Sequence, residues 1–526
     1  MTRPQSPDGV LRLAVIGAGP AGMEGAVRAA DGAVAVTVID AGPAAGGQFH
    51  RQPSPLLHAL PPASQARLPS WSPSWLPSPA LAPHRAGRGW AALKSRFDRH
   101  VAAGRVRHLA DHHVWFAERA GGGFRVHALV GPAQQSSIRV DADALLLATG
   151  AYERVLPFPG WTLPGVVTAG GAQAMLKGSL VLPGREVVVA GTGPLLLPVA
   201  AGLAEAGAVV KALIESADMR ALLRPAPALA AAANPGKLAE AAGYAARLAQ
   251  YRIPVRSRHV VVAAHGGERV EAVTVAALDA LGHVLPGSQQ RISCDSLAIG
   301  HGLLPHLGLA LTLGARVEDE PAPAVVVDGE QRTCVPALWA AGEASGVGGA
   351  ALAQVEGEIA GRSVAAWSRG PRRAWQDEDH ARSPAWTSAE RRRGRRREFF
   401  AALDAVYARD VTWAERVDDD TTICRCEEVR AGAIRRVLRD DAASDPRTVK
   451  LLTRAGMGWC QGRMCAPAVA GLLAERSAAR ERGGAEGGGA PGPSALVSSR
   501  PFARPVPLGV LATLPPDEEE GTDEQP

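Results

Sequence analysis

An α/β fold is expected, with two dinucleotide-binding β-α-β units standing before a small α-rich domain at the C-terminal end. Three observations predict it. Leu11–Ile16 is an apolar run of strand length, followed by GAGPAG, the small-residue stretch MEGAVRAA and a second apolar run, VAVTVID. Strand, glycine turn, helix and strand in that order make a β-α-β unit. The order recurs from Glu186, where EVVVA leads into GTGPLLLPVAAGLAEAGA and then VVKALIE. Lastly, four of the six cysteines crowd towards the C-terminal end, Cys424 and Cys426 in TTICRCEEV and Cys460 and Cys465 in GMGWCQGRMCAP.

Bulk composition narrows the function classes. A chain of 526 residues supports several domains, and 46% hydrophobic with 21% charged residues is an ordinary soluble composition. The net charge is +5, and six acids in the last ten residues leave +11 on the rest. The excess is arginine scattered along the chain, so no nucleic-acid partner is expected. The apolar run at the N-terminus leads straight into a glycine turn and reads as a strand, not a secretory signal. No stretch of 18 apolar residues is free of Pro, Gly or charge, so no membrane span is expected, and the expected compartment is the cytoplasm. Cys294 and Cys334 stand alone in apolar, strand-like contexts and are expected to be buried, inert thiols.

In the first unit Gly17, Gly19 and Gly22 make G-x-G-x-x-G, with Pro20 opening the helix. The first glycine permits a tight turn and the second lets backbone approach a pyrophosphate. The third lets helix and strand pack closely, and the phosphates meet the helix N-terminus. Asp40 ends the second strand, where a carboxylate binds ribose hydroxyls. In the second unit Gly191 and Gly193 follow the strand, but Leu196 replaces the third glycine and Pro194 sits in the turn. Glu215 is placed as Asp40 is, and an acid there favours the free ribose of NAD over the 2′-phosphate of NADP. The second unit is either a live NAD(H) site or a scaffold that has lost its nucleotide.

The four cysteines are spaced C-x-C, a gap of 33 residues, then C-x4-C. Thiolates so spaced can converge on one soft-metal site. A [2Fe–2S] cluster held by Cys424, Cys426, Cys460 and Cys465 is one reading. A structural zinc is the other, although zinc sites favour C-x2–4-C pairs over C-x-C. Helices are expected after both pairs, in EEVRAGAIRRVL and, with Pro467 in its first turn, in APAVAGLLAERSAARE. Their N-terminal dipoles would stabilise an anionic cluster.

Further segments carry a resemblance. GGQ at Gly46, Gly47 and Gln48, ATG at Ala148, Thr149 and Gly150, and T-x-x-P-x-x-W-A-A-G-E from Thr333 to Gly342 and Glu343 resemble the two-dinucleotide-binding flavoproteins of the glutathione and thioredoxin reductase superfamily. The resemblance implies FAD at the first unit, with Glu343 where that family usually has Asp. No cysteine pair stands beside the flavin motifs, so thiol–disulfide reductase chemistry is excluded. The cysteine segment resembles the bacterioferritin-associated-ferredoxin-like domain, which commonly closes with C-x2-C.

ATGAYERVLPFPGWTLPGVVTAGGAQAMLKG, GTGPLLLPVAAGLAEAGA and the cysteine motifs together resemble the A or alpha subunits of opine oxidases, dye-linked proline and hydroxyproline dehydrogenases and bacterial hydrogen cyanide synthase. Sarcosine oxidase alpha is a more distant relative. This implies an FAD- and [2Fe–2S]-dependent oxidoreductase subunit that moves electrons during oxidation of an amino acid, imino acid or opine-like amine. The implied partners are a small second [2Fe–2S] protein and an FAD-dependent subunit of the amino-acid-oxidase type. The alternatives are an NADH-dependent reductase for an external acceptor and a non-catalytic electron-transfer scaffold.

The expected boundaries are 10–160 and 296–370 for the two pieces of the FAD domain and 161–295 for the NAD-type domain between them. A charged, helical linker follows over 371–418, the cluster domain over 419–478 and a disordered tail over 479–526. Residues 53–86, rich in Pro, Ser and Trp, read as a surface loop without an assigned role. The arginine run 391–397 reads as a solvated helical face, with docking to an acidic partner as the alternative. His301 and His306 are loop histidines that can lie near the flavin.

Overall fold

The computed structural model describes residues 9–53, 87–319, 322–369, 384–407, 412–440, 443–482, 500 and 502–513. Most of the Pro/Trp-rich segment, over 54–86, lies outside them.

The first β-α-β unit is β1 (Arg12–Ile16), α1 (Pro20–Asp31) and β2 (Ala35–Ile39). Helix α2 (Gly87–Ala102) leads to β3 (Val106–Leu109), then to an antiparallel meander of β4 (His112–Ala120), β5 (Gly123–Val130) and β6 (Ser136–Ala142), and to β7 (Ala144–Leu147). Alanine and glycine in α1 let it lie close on α8 (Gly349–Arg369). A methyl group at Gly357 would meet the Ala21 carbonyl oxygen at 2.1 Å, and one at Gly361 the Gly25 carbonyl oxygen at 2.3 Å. The first sheet is parallel, in the order β20-β7-β1-β2-β3, where β20 is Leu338–Ala340. The chain therefore leaves this domain and returns, as expected for a first domain in two sequence pieces.

The excursion begins at β8 (Ala151–Glu153) and builds the second sheet from β9 (Val166–Thr168), β10 (Glu186–Gly191), β11 (Val209–Glu215), β12 (Val255–Ser257) and β16 (Ser296–Gly300). Its order is β12-β11-β10-β16-β9, again parallel. Helices α3 (Ala169–Ala174), α4 (Leu196–Glu205), α5 (Pro225–Ala232) and α6 (Pro235–Gln250) belong to it. A second meander, β13 (His259–His265), β14 (Ala272–Ala277) and β15 (Gln290–Ser293), covers one face. Strand β16 lies between β10 and β9, so the second domain extends through Gly300, beyond the boundary expected at 295. Its run of buried residues fits a position between two parallel neighbours. Strand β17 (Leu303–Pro305) pairs with β8, and α7 (Gly308–Thr312), β18 (Val317–Glu318) and β19 (Ala324–Val325) return the chain to the first domain.

Helix α9 (Pro384–Val406) occupies the expected linker, but it is not a solvated rod. Arg392 binds Glu358 at 2.8 Å, Arg393 binds the Gln331 side chain at 3.1 Å, and Arg397 binds Glu356 at 2.6 Å. Arg396 donates to the Ala351 carbonyl. Arg392, Arg393, Arg396 and Arg397 are thus engaged by carboxylates, an amide and carbonyls of the first domain, while Arg391 and Arg395 are exposed. Glu356 is 0% exposed, and Arg397 supplies the counter-charge that offsets its burial.

The C-terminal domain consists of β21 (Thr422–Cys424), β22 (Val429–Arg430), α10 (Ala431–Asp440), α11 (Pro446–Thr453) and α12 (Ala466–Arg482) around one apolar core. Helix α12 runs past the expected domain end at 478. Beyond it, residues 502–513 carry α13 (Leu508–Ala512) and pack Phe502, Val506 and Val510 on Trp115 and Leu129 of the first meander. Part of the expected disordered tail is therefore ordered, because these apolar side chains find a buried aromatic site. Among the described residues no helix is long and apolar enough to cross a membrane.

Candidate functional site

A cavity of about 1540 Å³ runs from the first glycine turn to the cysteine domain. It exceeds the roughly 300–1,000 Å³ of an ordinary small-molecule site. Gly17, Gly19, Pro20, Asp40, Gly47, Gln48, Thr149, Gly150 and Glu343 all line it. Gly22 and Gly342 stand behind it as packing positions. A methyl group on Gly22 would meet the Gly17 carbonyl oxygen at 1.8 Å, and one on Gly342 the Ala21 side chain at 2.8 Å.

The cradle suits a dinucleotide. Helix α1 starts at Pro20 with no side chain capping its first amides, which leaves them for an anion. Gly17 adopts φ +105°, and a methyl group there would strike the Ala148 carbonyl oxygen at 2.3 Å. The Asp40 carboxylate accepts from the Ala18 amide at 2.5 Å and the Gly42 amide at 2.7 Å. Glu343 accepts from the Gly349 amide through Oε1 at 2.9 Å, while its buried Oε2 has no partner. Burial pushes this carboxyl up to about 7. An orphaned acceptor beside the cradle is what a ligand hydroxyl would satisfy.

The second turn is arranged differently. Gly191, Gly193 and Glu215 do not line the cavity. Glu215 is 3% exposed and accepts from the amides of Gly193 at 3.1 Å and Ala217 at 2.9 Å. Burial pushes it up to about 7. Tyr407, just beyond α9, lies close enough to Glu215 for that charge, after burial, to raise the phenol above its ordinary value.

The four cysteines come together as two pairs. Cys424 and Cys465 are hydrogen-bonded through their side chains, as are Cys426 and Cys460. Cys465 donates, so Cys424 is pulled down to about 6 and Cys465 is raised. Backbone amides of Gly456, Glu427 and Cys426 also point at Cys424. Gly456 has φ +89°, and a methyl group at Gly458 would strike the Cys426 side chain at 2.2 Å. Among the described residues no three donors close on a point fit for a single ion. Two thiol pairs cradled by amides supply the four-cysteine donor set of a [2Fe–2S] cluster.

Cys465 stands at the start of α12 as expected. Cys426 does not open a helix, because a turn with Glu428 at φ +54° and the strand β22 intervene before α10. Cys294 is buried, and burial pushes its thiol up to about 11. Cys334, also expected to be buried, is exposed.

Sequence reasoning missed how the two centres meet. Cys460 lines the same cavity as the glycine turn, together with Met464, Arg463 and Trp459. His306 lines it as well, whereas His301 does not. The His306 amide donates to the Gly150 carbonyl at 2.9 Å, and its ring lies 4.8 Å from that of Tyr152. Burial, then Arg463 and Arg504, hold the imidazole down at about 4, so it is neutral at physiological pH. A G-x-x-P-H segment after a strand gave little signal, because its partners are distant in sequence.

Comparison with known proteins follows the same division. Residues 11–365 match the family described as pyridine nucleotide-disulphide oxidoreductase, and residues 422–475 match the BFD-like [2Fe-2S] binding domain. The A subunit of opine oxidase from Agrobacterium tumefaciens is 30% identical over 514 residues, covering 96% of this chain and 92% of that protein. Hydrogen cyanide synthase subunit HcnB of Pseudomonas aeruginosa is 33% identical over 328 residues, covering 62% and 69%. Among solved structures, L-proline dehydrogenase from P. horikoshii superposes with a TM-score of 0.59 at 18% identity, covering 95% of this chain and 79% of that one. This last likeness concerns the fold.

Proposed function

The chain belongs to the pyridine nucleotide-disulphide oxidoreductase family, with a BFD-like [2Fe-2S] binding domain behind it, and from this we propose that it passes electrons between FAD and the cluster while a partner subunit oxidises an amine. It is an oxidoreductase with FAD and a [2Fe–2S] cluster as cofactors. The relatives named as subunits of opine oxidase and hydrogen cyanide synthase support a multi-subunit setting. They also favour an amino acid, imino acid or opine-like amine as the donor. The expected partner is an FAD-dependent subunit of the amino-acid-oxidase type, accompanied by a small [2Fe–2S] protein.

The observation that carries the proposal is the shared cavity, with Gly17 and Asp40 at one end and Cys460 at the other. FAD supplies conversion between two-electron and one-electron transfer, which a chain ending in an iron–sulfur centre needs. The α1 amides and Gly19 would bind its pyrophosphate, Asp40 its ribose, and Glu343 a hydroxyl of its sugar chain. Cys424, Cys426, Cys460 and Cys465 would hold the cluster. The second glycine turn serves as scaffold, since Glu215 is committed to backbone amides and buried.

The test is anaerobic reduction of the isolated chain and of the native complex. The complex should bleach the flavin bands on addition of the amine, and the isolated chain should not. Turnover of proline, hydroxyproline or an opine by the isolated chain with a dye as acceptor would refute the division of labour. Pull-down from the native host with mass spectrometry identifies the partner.

A further inference from the structure

Three guanidinium groups gather where the flavin cavity meets the cysteine domain, and the electron-transfer reading does not use them. Arg463 and Arg504 line the cavity, and Arg500 stands behind them, its Nη2 3.1 Å from the position a methyl group on Gly462 would take. Arg463 donates to the Cys460 carbonyl at 3.1 Å and to the Ala503 carbonyl. Arg504 Nη1 lies 2.7 Å from His113 Nδ1. Among the described residues neither Arg463 nor Arg504 meets a carboxylate. Each guanidinium has five N–H donors, so most of their capacity is unused by protein.

The nearest groups are neutral or donors. Tyr152 lines the cavity, and burial raises its phenol, which keeps the proton. His306 is uncharged. Arg463 and Arg504 are half-buried, and holding cations there without a counter-charge is costly, so the site calls for an anion.

The cluster thiolates account for part of this. Arg463 and Arg500 both feel Cys460, but Arg504 feels no cysteine, and burial alone lowers it. The flavin pyrophosphate has its own site at α1. An amino-acid zwitterion would bring its ammonium group among the guanidiniums. A dianion with tetrahedral oxygens matches two planar forks and a phenol donor.

We propose that Arg463, Arg504 and Tyr152 form a binding site for a phosphate group, separate from the FAD pyrophosphate site and lying between it and the cluster. The ligand is inorganic phosphate or a small phosphate monoester held in the same cavity. This goes beyond the electron-transfer reading and stands or falls apart from it.

The test uses the full chain loaded with FAD and cluster, with radiolabelled inorganic phosphate in equilibrium dialysis. Phosphate and sulfate should bind at least about tenfold more tightly than acetate, as charge matching requires. Arg504→Gln should weaken phosphate roughly ten- to a hundredfold, the loss of one charge-assisted contact. Arg504→Lys should recover part of that affinity by restoring the charge without the fork. Tyr152→Phe should weaken it a few-fold. Flavin and iron content, measured on each variant, must match the parent, which separates loss of the site from loss of the fold. Tighter binding of glycerol 3-phosphate than of inorganic phosphate identifies an ester as the ligand, and the reverse order identifies the free ion. Acetate equal to phosphate, Arg504→Gln without effect, or phosphate binding only to flavin-free chain would each overturn the proposal.

Discussion

At the first glycine turn the helix begins at Pro20, directly after Gly19, and its amides open on a cavity. At the second turn Gly191 ends its strand, but the helix waits until Leu196. The acid that ends the second strand of each unit folds back on its own turn in both cases. Asp40 still reaches the cavity, whereas Glu215 is buried and does not line it. A β-α-β pattern therefore specifies a place for a nucleotide. Whether its acid faces open space depends on the distance from turn to helix and on how deeply the fold buries that acid.

The largest expected effect on that comparison comes from glycine. Gly22→Ala should abolish stable FAD binding, read as flavin retained through gel filtration, because the new methyl group collides with the Gly17 carbonyl. Gly193→Ala meets nothing within 4 Å and strains only its φ of +113°, costing about 1–3 kcal/mol of stability with flavin retained. Equal flavin loss in both would break the distinction between the turns.

Cys460→Ser should remove the cluster, measured as a fall from about two irons per chain, while the flavin stays, since the two cofactors rest on separate cores. Cys294→Ser should leave both in place. One zinc and no iron in the parent chain would instead favour a structural metal.

Arg397→Ala leaves the buried Glu356 without its partner. Arg397 is partly exposed, so a loss of about 2–3 kcal/mol is expected, below the full cost for a pair buried on both sides. Calorimetry or a thermal scan reads it. An unchanged midpoint would mean that α9 is not held to the flavin domain in this way.

The pH response sharpens the comparison further. Glu343 and Glu215 are both pushed up to about 7 from 4.5, so the fold holds protons that the unfolded chain releases. Their contribution to stability is full below about 4.5 and is lost as pH rises through about 7. Glu215→Gln should flatten part of this slope in both flavin-free and flavin-loaded chain, because Glu215 is buried away from the cavity. The effect of Glu343→Gln should differ between the two states. An effect of flavin on the Glu215 part would show that the second turn is open.

The smallest expected effect is that of pyridine nucleotides. Neither NADH nor NADPH should bleach the flavin, and Glu215→Ala should change neither rate. Rapid bleaching by NADH with a preference lost in Glu215→Ala would make the second turn a working site.

Local pattern alone determined both β-α-β units, the glycine and acid positions that line the cavity, and each of the two cysteine pairs proposed as cluster ligands, because each depends on spacing within a few turns of chain. Periodicity also located the helix after Cys465. What it could not reach depends on segments that meet only after folding. The boundary at Gly300 is decided by sheet neighbours far away in sequence. The nearness of Tyr407 to Glu215 is decided by tertiary packing, and the work of Arg392 and Arg397 by Glu358 and Glu356 on another helix. The joining of flavin cavity to cluster is decided by where Cys460 docks. Side chains contributed by separate segments leave no mark on sequence spacing, and only packing brings them within hydrogen-bond or Coulombic reach.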